Sequence, residues 1–278
     1  SIGAGIFSGR YTSTIVAAGF LAKKILKDHG IEVFSYVKEA AGVAMPEMDS
    51  DTIRERVKLF REFRRDTDPL YDIVYTQGRI KPGMRLLEKM AVLAEIETMV
   101  PDIKREPLPE SKIAGLAELG IHPLLNCPHL EAAKEMYAKI LEIRDSGDSS
   151  GGLVEVIATG IPAGMGEPVF AKLDGELGRM MSIGTVKAVE IGAGLKVKDM
   201  TGSNVNDQMR ATGGKVVFES NNAGGITGGL ATGQDIVVRL AIKPTPTIAK
   251  PQRTIDKVSM ENADLAAVTR RDPTIVSR

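Results

Sequence analysis

The sequence predicts an α+β chain built of mixed layers, and three observations carry that prediction. Apolar residues recur at helical spacing over residues 14–27, 52–65, 84–100 and 131–144. Strand-like stretches occupy residues 31–37, 153–158, 185–191 and 236–242. The two kinds follow one another without a strict βαβ rhythm, which favours mixed layers over a doubly wound parallel sheet. At 278 residues the chain is long enough for one large domain or two small ones.

Each element has a local reason. Ser8, Thr12 and Ser13 precede the first helix, and Gly30 is placed to close it. Ile15, Val16, Ala17, Ala18, Phe20, Leu21 and Ala22 make this helix apolar nearly all round, so burial on most sides is expected, with Lys23 and Lys24 reaching water. Ile53, Val57 and Phe60 form one stripe of the second helix among basic residues. A solvated outer face is expected there, with ion pairs such as Glu62 to Lys58 or Arg65. Leu87, Met90, Ala91 and Ala94 carry a further helix that Pro101 stops, and a short one is expected near residues 111–119. Ala132, Met136, Ile140 and Ile143 line the apolar side of the helix at 131–144. Pro168 suits a first helical turn, so a helix is expected from there to about Met181.

Composition excludes several classes. Lys+Arg 36 against Asp+Glu 36 leaves no net charge, so neither nucleic acid nor an anionic membrane is an expected partner, and any anion site must be local. The single cysteine, Cys127, rules out an internal disulfide and fits a reducing, cytoplasmic setting. No apolar run has the length of a membrane span, and the apolar patch at 15–22 lacks the basic region of a signal peptide. Hydrophobic content of 43% is that of an ordinary globular chain.

The most informative stretch runs from Asn221 to Thr254. Gly224-Gly225, Gly228-Gly229 and Gly233 let backbone come close to a ligand. Ile236, Val238, Leu240 and Ile242 then alternate with Val237, Arg239, Ala241 and Lys243, which leaves one face apolar and puts two cations on the other. Pro244 and Pro246 keep residues 243–247 extended. A glycine-lined floor, two cations and a stiff hydroxyl-bearing exit suit an anionic, planar ligand. A hairpin with a polar exit fits the same residues.

Several motifs resemble one known family in order. They are NNAGGITGG at 221–229, the KPTPTI and KPQRT runs at 243–254, Gly147-Asp148-Ser149-Ser150-Gly151-Gly152, and Gly160 through Pro168. Met181-Ser182-Ile183, Val189-Glu190-Ile191-Gly192, Gly202-Ser203, Asn206-Asp207 and Arg270-Arg271-Asp272-Pro273 continue the series. Together they are similar to chorismate synthase, over residues 2–48 and about 126–278. Roughly 57–120 falls outside the motifs and is read as a helical insertion within a core formed by 1–56 and 121–278. The family's N-terminal portion has no counterpart, so a chain starting in mid-motif reads as a fragment or a processed product. The fold implied is helices sandwiched between antiparallel β-sheets.

The resemblance implies a lyase of the shikimate pathway to the aromatic amino acids. It removes phosphate from 5-enolpyruvylshikimate 3-phosphate by 1,4-elimination, giving chorismate, with reduced FMN as cofactor. A homotetramer in the cytoplasm and a link to NADP accompany that expectation. By motif, flavin contacts fall on Ile6, Phe7, Ser8, Arg10, Gly184, Thr185, Gly228, Lys243, Pro244, Thr245, Pro246, Thr247 and Arg270. Asp272 matches the aspartate that assists proton removal, and a carboxylate beside Arg270 and Arg271 should stay ionised. Arg271 stands where the family usually has histidine, and arginine can steady an anion but cannot usefully give up a proton.

His29, His122 and His129 do not replace the family's acids, and with Cys127 they are too few for a metal site. Two other functions remain open at this point. One is a homologue that binds flavin or another anion with little turnover; the other is an assembly protein that uses the helical segment.

Overall fold

Antiparallel pairing builds one five-stranded sheet and three two-stranded ones among the described residues. The structure, a computed structural model, describes residues 12–67, 110–122, 124–265 and 272–276. In chain order the helices and longer strands begin with α1 (Ser13–Asp28), β1 (Glu32–Ala40), β2 (Val43–Ala44), α2 (Ser50–Thr67), α3 (Glu110–Glu118), α4 (Leu130–Asp145) and β3 (Gly152–Thr159). Then come α5 (Leu173–Gly178), β4 (Val186–Ile191), α6 (Gly202–Val205), β5 (Met209–Thr212) and β6 (Lys215–Phe218). The last are β7 (Ile226–Thr227), β8 (Leu230–Ala231), β9 (Ile236–Ile242), β10 (Gln252–Ile255) and β11 (Asn262–Leu265). Helices with antiparallel sheets make this the expected α+β class.

The chain divides into two compact units, 1–45 with 134–278, and 46–133. In the first, the strand order is β2-β1-β3-β9-β4. The alternation read in β9 holds: Ile236, Val238 and Leu240 are buried on one face. With Ile31, Ile161, Val186, Ile226 and Ala231 they form a core onto which Leu26, Leu173, Leu177 and Met180 pack. Burying a side chain of this size contributes about 1.5–3 kcal/mol. The other face of the sheet carries a polar row. In register, Tyr36 of β1 lies opposite Glu155 of β3, and Glu155 opposite Arg239 of β9.

In the second unit α2 buries Ile53 and Val57 and α3 buries Leu116, which is the stripe expected of amphipathic helices. Arg56 Nη1 donates to the Pro128 carbonyl at 2.7 Å. The expected helix at 84–100 lies outside the described residues.

Two expectations need correction. Helix α1 runs one residue beyond the predicted 14–27 at each end, with Gly30 at φ 76 behind it, but it is not buried. Ile15, Val16, Phe20, Leu21 and Ile25 are all more than half exposed, and Leu26 is its link to the core. An all-round apolar pattern says that a helix can be covered, not that something covers it. The helix expected from Pro168 begins instead at Leu173. Val169 has φ 81, which no helical residue adopts, and the Leu173 amide donates to the Gly229 carbonyl. The hairpin β5–β6 was not anticipated, although Gly213-Gly214, both at positive φ, is the two-residue turn such a hairpin requires.

Candidate functional site

Residues 147–151 lie between α4 and β3 and tie together segments far apart in sequence. The Asp148 carboxylate accepts from Lys250 Nζ at 2.8 Å, and the Gly147 carbonyl accepts from the Ala249 amide at 2.8 Å. Ser149 Oγ donates to the Thr245 carbonyl at 2.6 Å. The buried Ser150 donates its amide to the Pro273 carbonyl at 2.8 Å. A Cβ at Gly151 would lie 2.4 Å from the Ile242 carbonyl oxygen, so only glycine lets β9's exit pass this close. On the opposite side the Lys243 amide donates to the Thr185 carbonyl at 3.0 Å. Thr185, Lys243, Thr245 and the Asp272-Pro273 pair are thereby held by one short loop and one strand end.

This junction has three features that ordinary packing does not explain. Thr185 is β-branched yet sits at φ 82, a conformation that costs about 1–3 kcal/mol and persists where surroundings over-determine it. Thr245 Oγ1 is buried with no hydrogen-bond partner among the described residues. The Lys243 ammonium has no hydrogen bond or ion pair among those residues, while Asp272 is half-buried. A cation, a donor hydroxyl and a carboxylate at one junction can hold an anionic ligand and move a proton.

The other sequence-derived candidates are placed only in part. Ile6, Phe7, Ser8, Arg10, Arg270 and Arg271 lie outside the described residues. Gly184 precedes Thr185 and borders open space. Gly228 also borders open space, but it tips the β7–β8 hairpin, whose Gly229 lies against Lys172 and Gly166. Pro244, Pro246 and Thr247 continue the extended exit from β9, outside regular structure as expected.

The pair of cations expected on one face of β9 does not form a joint anion site. Arg239 Nε lies 2.6 Å from Glu155 Oε2, and its Nη1 donates to the Gly192 carbonyl at 2.5 Å. Glu155, itself buried, also accepts from the Tyr36 hydroxyl and has Lys38 Nζ at 3.6 Å. Arg239 is therefore neutralised inside the sheet, and Lys243 stands beyond its end.

The expected glycine floor also has another use. A Cβ on Gly192 would lie 2.1 Å from the Asn222 carbonyl oxygen, and one on Gly224 only 2.3 Å from the Gly192 amide nitrogen. These glycines admit neighbouring backbone rather than a ligand. Asp207 fastens the same loop, accepting from Ser220 Oγ and the Asn222 and Ala223 amides at 2.6–2.8 Å. Burial would raise its carboxyl pKa, but those hydrogen bonds outweigh burial and hold it below the usual carboxylate value.

The histidines bond to nearby backbone, and His122 Nδ1 accepts the Leu124 amide. His29 Nδ1 bonds the Ile25 carbonyl at the end of α1, and His129 Nδ1 accepts the Ala132 amide at the start of α4. Burial pushes the Cys127 thiol up to about 11, which makes it a poor nucleophile. The roles of Ser149, Ser150 and Asp207 were missed. Each lies in a quoted motif, and serine or aspartate beside glycine is a local signal for side-chain bonds to backbone.

Comparison with known proteins adds an independent line. A family model described as chorismate synthase matches residues 1–278, running through 57–120 as it does through the flanks. The chain is 37% identical to the chorismate synthase of Methanosarcina mazei over 277 residues, 99% of this chain and 59% of that protein. It is 36% identical to that of Acetivibrio thermocellus over 281 residues, covering 56% of the relative, and 51% identical to that of Methanosarcina barkeri over 155 residues. A crystal structure of chorismate synthase superposes with TM-score 0.58 at 28% identity, over 86% of this chain and 57% of that one. The chain thus spans less than two thirds of the length of these relatives.

Proposed function

The chain belongs to the chorismate synthase family, and from that premise we propose that it serves the elimination of phosphate from 5-enolpyruvylshikimate 3-phosphate to give chorismate. The observation that carries this reading is the junction at the end of β9, where the segment bearing Lys243 and Thr245 is hydrogen-bonded to the same 147–150 loop that holds the Pro273 carbonyl beside Asp272. Reduced FMN, when bound, supplies electron density transiently and recovers it, without net redox change. The residues present fit that group, because a buried hydroxyl and an ammonium that have no partner among the described residues are what a phosphate-bearing, hydrogen-bonding ligand would satisfy. Lys243 would meet an anion, Thr245 Oγ1 would hydrogen-bond the cofactor, and the backbone of residues 184–185 would border it. Asp272 would take the proton from substrate while Arg270 and Arg271 balance charge.

Anaerobic thermal melts test this reading. Reduced FMN at a hundred times its dissociation constant should add about 2.7 kcal/mol to stability, with a further rise when substrate is present. A folded chain whose melting temperature does not move at saturating flavin would sink the proposal.

A second reading keeps binding and drops turnover. Arg271, in place of the family's usual histidine, favours it, since general acid catalysis typically contributes about 10²–10⁴-fold. Flavin-dependent stabilisation without chorismate formation would select it, and Arg271→His should then raise the rate.

A homotetramer in the cytoplasm fits the same reading. Val216 on β6, with Ile255 and Val258 at the β10–β11 hairpin, leaves apolar surface for a second copy. No described helix is long and apolar enough to cross a membrane. Residues 57–120 are proposed as a helical insertion, and none of the candidate site residues falls within the unit 46–133.

A further inference from the structure

We propose that Ser149 is a positioning residue for the flavin site, acting through Thr245; this rests on the functional reading above. The segment after β9 has no regular structure, yet it is fastened at four points. Lys243 is tied to the Thr185 carbonyl, Thr245 to Ser149, Ala249 to Gly147 and Lys250 to Asp148. Three of these four fasteners come from residues 147–149. Thr245 lies between Pro244 and Pro246, so its φ and ψ are already confined to the extended region. Fixing its carbonyl then fixes the direction of its Cα–Cβ bond as well. Ser149 Oγ does that at 2.6 Å, the short end of the range for a hydroxyl donor. The Ser149 amide in turn donates to Asp148 Oδ1 at 2.9 Å, and the other oxygen of that carboxylate holds Lys250.

The group carried on that bond is the buried hydroxyl that lacks a partner among the described residues, Thr245 Oγ1. A buried hydroxyl without a partner is unfavourable and uncommon, and it is explained when a ligand completes it. The next residue of the loop, Ser150, holds the Pro273 carbonyl and with it the backbone beside Asp272. The 147–150 loop therefore sets the spacing between the hydroxyl offered to the cofactor and the carboxylate offered to the substrate. Ser149 touches neither ligand itself.

A double-mutant cycle on affinity for reduced FMN, measured anaerobically together with the melting temperature of the flavin-free chain, tests the proposal. Ser149→Ala and Thr245→Val should each weaken binding about three- to tenfold, as expected for one hydrogen bond. The double variant should be no weaker than Thr245→Val alone, and Ser149→Thr, which keeps the hydroxyl, should bind like the parent. Losses that multiply in the double variant would overturn the proposal. So would a Ser149→Ala chain that fails to fold, or a Ser149→Thr chain that binds as poorly as Ser149→Ala. If the parent binds reduced FMN and Lys243→Ala weakens it, but Ser149→Ala and Thr245→Val do not, this inference falls and the flavin reading stands. A folded parent that does not bind reduced FMN defeats both.

Discussion

The two ends of β9 are built on opposite principles. At its start, the loops around Gly192 and residues 221–225 are locked backbone to backbone, and Asp207, Asn221 and Arg239 satisfy the groups left over. At its end, the same strand runs into a strained Thr185, a buried hydroxyl without a partner and an ammonium without a counter-charge among the described residues. The glycine-rich end is richer in sequence signal, and the proline-rich end is richer in unmet chemistry. Glycine density marks where backbones must pass closely, and that can serve packing as readily as binding. Unsatisfied polar groups discriminate better, because folding alone gives no reason to keep them.

The sharpest way to break this comparison is to remove Arg239. Arg239→Ala leaves buried Glu155 short of its main partner, and breaking a buried pair this way costs about 3–5 kcal/mol. Lys38 still faces the carboxylate, so the lower end of that range is expected in urea denaturation. Flavin affinity, measured on the fraction that remains folded, should be nearly unchanged. A large affinity loss with little loss of stability would mean that the start of β9 belongs to the site after all.

Lys243→Ala should behave in the opposite way. Its melting temperature should stay within about a degree of the parent, because no bond among the described residues is lost. Reduced FMN or substrate affinity should fall by about 1.5–3 kcal/mol, the range for a hydrogen bond to a charged group. Unchanged affinity in an equilibrium titration would show that the cation serves the surface only.

The smallest expected effect is in acid. The Asp207 carboxyl is held below its ordinary value in the folded chain, so its contribution is fully present above the unfolded value of about 3.9. That contribution is lost as pH falls through the folded value. Urea midpoints should therefore decline below about pH 4, and Asp207→Asn should flatten part of that decline. An Asp207→Asn chain with the parent's acid profile would remove the carboxylate as the fastener of the 221–225 loop.

Local pattern reached most of the elements and little of their surroundings. The bounds of α1, α4 and β9 follow to within a residue from period, a property of neighbouring residues, although Thr12 makes no side-chain cap for α1. Arg239 was misjudged because its partner Glu155 lies 84 positions away, where no periodicity reaches. The exposure of α1 was misjudged because apolarity is a property of the helix while cover is a property of its neighbours. Pro168 looked like a helix start until Val169 at positive φ intervened, and nothing about valine announces that conformation. The candidate site was legible as a set of segments, through motif order. That Ser149 and Ser150 join those segments is tertiary information, visible only once the 147–151 loop closes on residues 245 and 273.

Helix α1 has a practical consequence at the bench. Five large apolar side chains stand along one helix in water, on a chain whose acidic and basic residues cancel and whose isoelectric point is about 6.8. Near neutral pH no long-range repulsion keeps such molecules apart, so colloidal behaviour is governed by the sticky helix. Concentrated stocks should keep best a unit or two from neutrality, where the acquired charge acts as a dispersant.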